Sequence, residues 1–516
     1  MAATSLWLLN AVGRNLGNFR PISNDEGELL EVSYTLSTTG ALASPMYAGF
    51  FNAEDHHLWT LPLQHVLDAA TFKAFGAGIT QARWVSVMAA LTGLWTLGWL
   101  ALRWYGLTAA LLVEVLLVFW RSDLTAGTTG LPLLDVARVA RYDVLAIAFG
   151  WLAIAALDLA ITQQRGRNAK VALAGFLAGL AALTQFYGVF ALPVVLLGAP
   201  RKSVVVGGAA LAVAPWLAFM AWHQADLAGQ LSVYGQRGDF LNPTFYVHNI
   251  TAEPIRYAEV LNQRAPDDVV GASEVAFQTS GYLLLALAPA LAWRIWRFLR
   301  CPRRQGDHLL LLSLASAAGL LLVLDQTKTP LYAIVLVPPA CLVLAAAWSD
   351  LLRWLLQRPR PWLRSLAAAA TVALLVAVIA DGLRAYGVDR TESAQVTPYA
   401  SVGGQIGAEL PADGVVLGPE RWWWALHTRR YVSLRSLWFQ WRSRAGATPL
   451  TDLIERWRPR GVIVNNNVRD DIQAFPAELQ EQFWTFIGSC TRQVGSVEDP
   501  TYFDVQVYEV RPGACD

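Results

Sequence analysis

Residues 171–198, VALAGFLAGLAALTQFYGVFALPVVLLG, contain no charged side chain. A helix crosses the hydrocarbon core in roughly 17 to 25 apolar residues, so this run is too long for one crossing. Thr184-Gln185-Phe186-Tyr187-Gly188 breaks it with polar and turn-forming residues, and the stretch reads as two short helices joined at 184–188. The split decides the topology, because a hairpin here moves every later loop to the other side of the bilayer.

Working outward, six further windows are long and apolar enough to span: 82–102, 143–161, 203–222, 281–299, 331–349 and 365–381. Residues 107–120, charged only at Glu114, and 308–324 are shorter candidates. With the hairpin these make about 10 spanning helices, an α-helical polytopic bundle. Composition agrees, since 55% of the 516 residues are hydrophobic and 15% charged, against roughly 25% charged in a soluble domain.

Short cytoplasmic loops collect Lys and Arg. Once the hairpin is in place, alternate loops hold Arg103; Arg165, Arg167 and Lys170; Arg201 and Lys202; Arg294, Arg297, Arg300, Arg303 and Arg304; and Arg353, Arg358, Arg360 and Arg364. Asp307 and Asp350 are the acids among them. This face is therefore read as cytoplasmic. The external face receives 1–81, 121–142, the turn 184–188, the loop 223–280, the turn 325–330 and everything after 381. A formal net charge of +1 offers no case for a nucleic-acid partner.

Two organisational expectations follow. Residues 1–381 form a membrane-embedded domain and 382–516 an external α/β domain, because apolar runs shorten after 381. In the latter GGQIGAEL, PLTDLIERW and PAELQEQFWTFIGS read as helices, and GVVLG, GVIVNNN, RQVGSV and YFDVQVYEV as strands. It carries no Gly-rich phosphate loop. The N-terminal MAATSLWLLNAVGRNLGNFR is too short to span and lacks the core of a signal peptide. It reads as a first helix lost through a misplaced start, or as an interfacial segment. Cys490 and Cys515 are the external cysteines, either disulfide-bonded or free.

The external face carries the chemistry. Asp25 and Glu26, in NDEGELLEVSY, are candidates for a general base or for a helix-capping acidic cluster. Arg121, Asp123, Arg141 and Asp143 stand at the mouth of the bundle, ARYDVL leading straight into a span; they either pair structurally or serve a substrate. Lys328, in DQTKTPLY, is placed to hold a lipid phosphate or to anchor at the interface. Residues 57–75 read as an amphipathic surface helix, or as a re-entrant packing helix. Glu54, Asp55, His56 and His57 include ligand types for a divalent ion, but no metal-binding spacing supports one, and a histidine donating to phosphate is the equal alternative. A transporter or flippase, or a non-catalytic scaffold, would also gather charge near helix ends.

These strings together resemble the polyprenyl-phosphate-dependent glycosyltransferases of the GT-C superfamily, the protein O-mannosyltransferases and lipid A aminoarabinose transferases in particular. The resemblance rests on NDEGELLEVSY (first external loop), HHLWTLPLQHVLDAATFKAFG (surface helix), ARYDVL, AGLAALTQFYGVFALPVVLLG (broken helix) and TKTPLYAIVLVPPACLVLAAAW. It covers about residues 22–350. Gln185 stands where the family commonly has Lys, and His56-His57-Leu58 replaces a Pro-rich start. The resemblance implies transfer of a hexosyl or pentosyl group from a polyprenyl-phosphate donor to a lipid, glycan or protein hydroxyl, with inversion. It implies Asp25 as base, Glu26 and Asp143 as sugar or acceptor contacts or as groups that orient neighbours, and Lys328, Arg141 and His56 at the phosphate. Tyr332 and Tyr187 would supply hydroxyl or stacking contacts. No nucleotide sugar is implied, because the site faces away from the cytoplasm, and no cofactor is assigned, a divalent metal being the less favoured alternative.

Overall fold

The structure, a computed structural model, describes residues 1–121, 130–232, 242–262, 279–300, 305–325, 328, 330–443, 449–511 and 513. The protein is an α-helical polytopic membrane protein with a small C-terminal α/β domain. Six helical segments among the described residues are long and apolar enough to cross a membrane: Ile79–Tyr105, Asp143–Thr162, Lys202–Trp222, Gln305–Leu324, Leu331–Leu356 and Pro361–Glu409. Residues 308–324, short on the sequence, thus belong to a full-length span. The window 281–299 is helical, Thr279–Arg300, but is not one of the six. In Lys202–Trp222 only 11% of the apolar window is buried, so its surface is left for lipid.

The predicted break at 184–188 is present. Arg167–Ala182 ends at a short 3-10 turn, Phe186–Phe190, and the chain continues as Ala191–Gly198. Small residues set its packing: a Cβ on Gly175 would lie 2.2 Å from the Val205 carbonyl oxygen, and one on Gly208 2.1 Å from that of Ala172. Two backbones approach this closely only where side chains are missing.

On the loops read as cytoplasmic, several arginines are ion-paired. Arg294 reaches both Asp307 and Asp350, Arg297 also pairs with Asp350, and Arg103 pairs with Asp158. A buried guanidinium is tolerated when a carboxylate meets it.

The chain groups into two compact units. The first comprises Met1–Arg14, Ser86–Pro215 and Asp239–Glu392; the second Asn15–Val85, Trp216–Gly238 and Ser393–Asp516. The helix that begins at Pro361 runs on to Gln395, past the change of texture at 381. The N-terminal segment is a helix, Ala2–Gly13.

In the second unit a five-stranded sheet has β1 Val415–Gly418, β2 Arg430–Ser433, β3 Pro459–Asn465, β4 Thr491–Asp499 and β5 Phe503–Val510 in the order β2-β1-β3-β5-β4. The β1 pairings are parallel, and β5 runs antiparallel to β3 and β4. Leu417, Val432, Val462 and Val464 bury against Leu453, Phe483 and Ile487 from helices Pro449–Trp457 and Ala477–Cys490. Cys490 is disulfide-bonded; Cys515 lies outside the described residues.

Candidate functional site

The Asn24–Thr39 helix starts at Ser23, whose hydroxyl accepts the Glu26 N–H at 3.2 Å. Its acidic residues take different surroundings. Asp25 is 47% exposed, with Arg435 Nη1 3.5 Å from its Oδ1. Glu26 is fully buried and receives Arg83 Nε at 2.7 Å and Nη2 at 2.8 Å. Arg83 also donates to the carbonyls of Leu16 and Arg20. The Glu26 carboxylate therefore anchors Arg83, and sequence reasoning had no signal for that partner.

Glu28 and Glu31 lie on the buried side. Trp59 Nε1 donates to Glu28 at 2.8 Å, and the Tyr47 hydroxyl lies 3.2 Å away. Burial pushes the Glu28 carboxyl up to about 7, with Asp25 and Glu420 adding to the rise and Arg435 opposing it. Glu31 is raised to about 8, again chiefly by burial, although the Ser44 hydroxyl donates to it at 2.5 Å. Glu420 accepts from the Ser433 hydroxyl at 2.6 Å and the Tyr47 hydroxyl at 2.9 Å. Gly27 permits this meeting, since a Cβ there would fall 2.3 Å from the Glu420 carbonyl oxygen. Tyr47, Trp59, Glu420 and Arg435 were not singled out from the sequence. The legible clue was the spacing of Asp25 and Glu28, one helical turn apart.

The histidines separate. His56 is half-buried, stacked on His223 with ring centroids 3.5 Å apart, and its Nδ1 lies 3.2 Å from Asp226 Oδ2. Ligand atoms of His56, His223 and Asp226 all fall within 4.8 Å of one another, and Asn52 Nδ2 donates to the other Asp226 oxygen at 2.8 Å. Two imidazoles and an oriented carboxylate suit a divalent ion such as zinc. The grouping differs from the sequence set, for His57 takes no part. His57 is fully buried, its Nε2 2.6 Å from Thr60 Oγ1, and burial holds it well below the usual imidazole range.

In the expected surface helix, Leu63–Phe75, Gln64, His65 and Asp68 are buried beside Ala69 and Phe72, while Val66 is 47% and Phe75 76% exposed. On its buried face Gln64 Nε2 donates to Asp68. Its apolar side chains are left for an apolar surrounding.

The remaining predicted residues lie in the first unit. Asp143 opens the Asp143–Thr162 helix, where Arg141 Nε donates to it at 2.8 Å and the Tyr187 hydroxyl also bonds to it. The Tyr187 ring centroid is 5.5 Å from that of Tyr332. Arg141, Asp143, Tyr187 and Tyr332 thus form one cluster. Gln185 caps the 3-10 turn, its side-chain oxygen accepting Phe186 N–H at 2.9 Å. Lys328 is buried, sits at φ +53°, and places Nζ 2.7 Å from Glu253. Glu253 also receives Arg256 at 3.0 Å, and Arg256 reaches Asp325 at 2.6 Å. Arg121 is buried, and Asp123 lies outside the described residues.

A helical bundle with a small α/β domain and these polar clusters defines a class of polytopic membrane protein. The fold is that of the GT-C membrane glycosyltransferases. It is similar to ArnT from Cupriavidus metallidurans in the apo state, with TM-score 0.61 and 12% identity over 99% of this chain and 97% of that one. ArnT bound to undecaprenyl phosphate gives TM-score 0.58 and 15% identity over 99% and 98%. The Archaeoglobus fulgidus oligosaccharyltransferase AglB, in complex with an inhibitory peptide and a dolichol-phosphate, gives 0.57 and 12% over 98% and 74%. At these identities the likeness is one of fold. No family model and no curated protein matches the sequence.

Proposed function

We propose that the protein is a membrane glycosyltransferase of the inner membrane, moving a hexosyl or pentosyl group from a polyprenyl-phosphate donor to an acceptor hydroxyl on the external, periplasmic face. The observation that carries the reading is the division of labour in NDEGELLEVSY: Glu26 is bound to Arg83, Glu28 and Glu31 are buried, and Asp25 keeps an accessible carboxylate. The fold likeness to two transferase structures that hold a polyprenyl or dolichol phosphate supports the donor class.

In this reading Asp25 takes the proton of the acceptor hydroxyl as its oxygen attacks the anomeric carbon. The carbon–oxygen bond to phosphate breaks, its electron pair leaves with the phosphate, and the configuration inverts. Neutralising that developing charge is the largest electrostatic contribution such a site makes. Lys328 and Arg141 take that role, and because each already faces a carboxylate, Glu253 and Asp143, the donor phosphate competes with built-in acids. Tyr187 and Tyr332 offer hydroxyl and ring contacts to the sugar.

The test is transfer of labelled sugar by purified protein from a panel of undecaprenyl-phosphate hexoses and pentoses into extracted envelope lipids and glycans. Transfer by wild type but not by Asp25→Asn supports the reading. A wild type that is inert across the panel yet moves a solute across vesicles overturns it.

A further inference from the structure

We propose that Arg435, contributed by the C-terminal α/β domain, is the positioning residue for the Asp25 carboxylate; the inference rests on the reading of Asp25 as base. The guanidinium is shared. Its Nη1 lies 3.5 Å from Asp25 Oδ1 and 3.9 Å from Glu28 Oε2. Asp25 and Glu28 stand one turn apart on the Asn24–Thr39 helix, so their carboxyl groups share a face and one planar cation can serve both.

A half-exposed ion pair at 3.5 Å is by itself worth little. What sets this one apart is how the arginine is held. Its backbone N–H donates to Ser433 Oγ at 2.9 Å, and the same hydroxyl donates to Glu420 at 2.6 Å. Glu420 is the leading charge acting on the Arg435 guanidinium. The Tyr47 hydroxyl stands 2.9 Å from Glu420 Oε1 and 3.2 Å from Glu28 Oε2, tying the two buried acids together behind the arginine. The Phe439 ring, one helical turn along, lies 6.0 Å from the guanidinium carbon. Gly27 lets the acidic helix seat against Glu420 with no Cβ between them.

The end of β2 and the helix Arg435–Ser443 thus present a cation, its backbone anchored at Ser433, to the half-exposed acid. A contact at Oδ1 restricts rotation of the carboxyl group and so biases the direction of Oδ2. Direction matters because a base must come within about 3 Å of the proton it takes. The domain that carries no catalytic motif of its own thereby shapes the carboxylate site.

Two readouts test this on the full-length protein in detergent. The first needs no substrate: labelling of Asp25 by a water-soluble carbodiimide, read by peptide mass spectrometry, with Asp504, held by Arg469, as the internal control. Removing one charge-assisted contact in Arg435→Gln should raise Asp25 labelling on the order of tenfold, with Arg435→Lys between it and wild type and Asp504 unchanged. Unchanged Asp25 labelling in Arg435→Gln overturns the inference. Should that variant unfold, seen as a matching rise at Asp504, Arg435→Lys decides: Asp25 labelling above wild type supports the shared guanidinium, and wild-type labelling overturns it.

The second readout is transfer from the undecaprenyl-phosphate sugar panel. Arg435→Gln should lower kcat about 100-fold with donor KM unchanged, Arg435→Lys should recover part of it, and Arg435→Gln added to Asp25→Asn should cost nothing more. Full activity in Arg435→Gln with Asp25→Asn inactive overturns the positioning role and leaves the base in place. Full activity in Asp25→Asn overturns the base itself, whatever Arg435 does.

Discussion

At the start of the Asn24–Thr39 helix, Asp25 keeps a half-exposed carboxylate beside the Arg435 guanidinium, with Glu26, Glu28 and Glu31 buried behind it. At Lys328 the arrangement is reversed: the ammonium is buried, 2.7 Å from Glu253, and Glu253 and Asp325 also meet Arg256. An acid left accessible over a buried acidic ladder is ready to take a proton. Cations already balanced by acids are ready for exchange, since an arriving anion can replace a carboxylate without leaving a bare charge in an apolar surrounding.

The sharpest way to break this contrast is at Glu26. If its carboxylate is structural, Arg83→Ala leaves a buried charge unpaired and should cost about 3–5 kcal/mol, read as a large fall in the melting temperature. A variant as stable as wild type would return Glu26 to the list of substrate contacts. Next in size is Lys328→Ala, which should raise the donor KM on the order of tenfold or more. Glu253→Gln should lower it, because the phosphate no longer displaces a charged competitor. Matching losses in both variants would show that the pair is only structural.

The acidic ladder also makes a pH prediction. Glu28 and Glu31 hold their protons to about 7 and about 8 in the folded state, against 4.5 unfolded, so the native state binds more protons in that window and stability falls as pH rises through it. His65, lowered to about 4 by burial, acts the other way only below its unfolded value of 6.5. Between pH 6.5 and 8 the buried carboxyls remain, Asp68, also raised by burial, among them, and Glu28 and Glu31 together should lower stability by about 1–2 kcal/mol. Glu31→Gln should reduce that slope in thermal unfolding. The smallest expected effect is at His56, His223 and Asp226, where zinc should raise the melting temperature by a few degrees in wild type and not in His223→Ala.

Most of the bundle was legible because lipid imposes a simple rule, a long uncharged run for each crossing. The break at 184–188 was readable from Thr184, Gln185 and Gly188 alone. Residues 308–324 were underestimated because Gln305, Gly306 and Asp307 do not look apolar, although they are helical and Asp307 is neutralised by Arg294. The strand Arg430–Ser433 was missed because it has four residues, the first an exposed arginine, too few for alternation to show. At the site, Asp25, Arg141, Asp143 and Lys328 could be named because charge beside an apolar run is conspicuous. Their partners could not. Arg83 from Glu26, Glu253 from Lys328 and Arg435 from Asp25 are 57, 75 and 410 residues apart, and a single sequence carries no local signal at such separations. Burial of His65 and Asp68 was not legible either, because periodicity shows which residues share a face, not which way that face turns.

If Asp25 is the base and its acidic neighbours are not, kcat for sugar transfer from the undecaprenyl-phosphate panel separates wild type, Asp25→Asn and Glu28→Gln under conditions where all three show the same melting temperature. Losing a general base costs roughly 100- to 10,000-fold; a loss of that size is expected for Asp25→Asn and a far smaller one for Glu28→Gln. Transfer at the wild-type rate by Asp25→Asn, with the loss falling on Glu28→Gln, would contradict the assignment of Asp25.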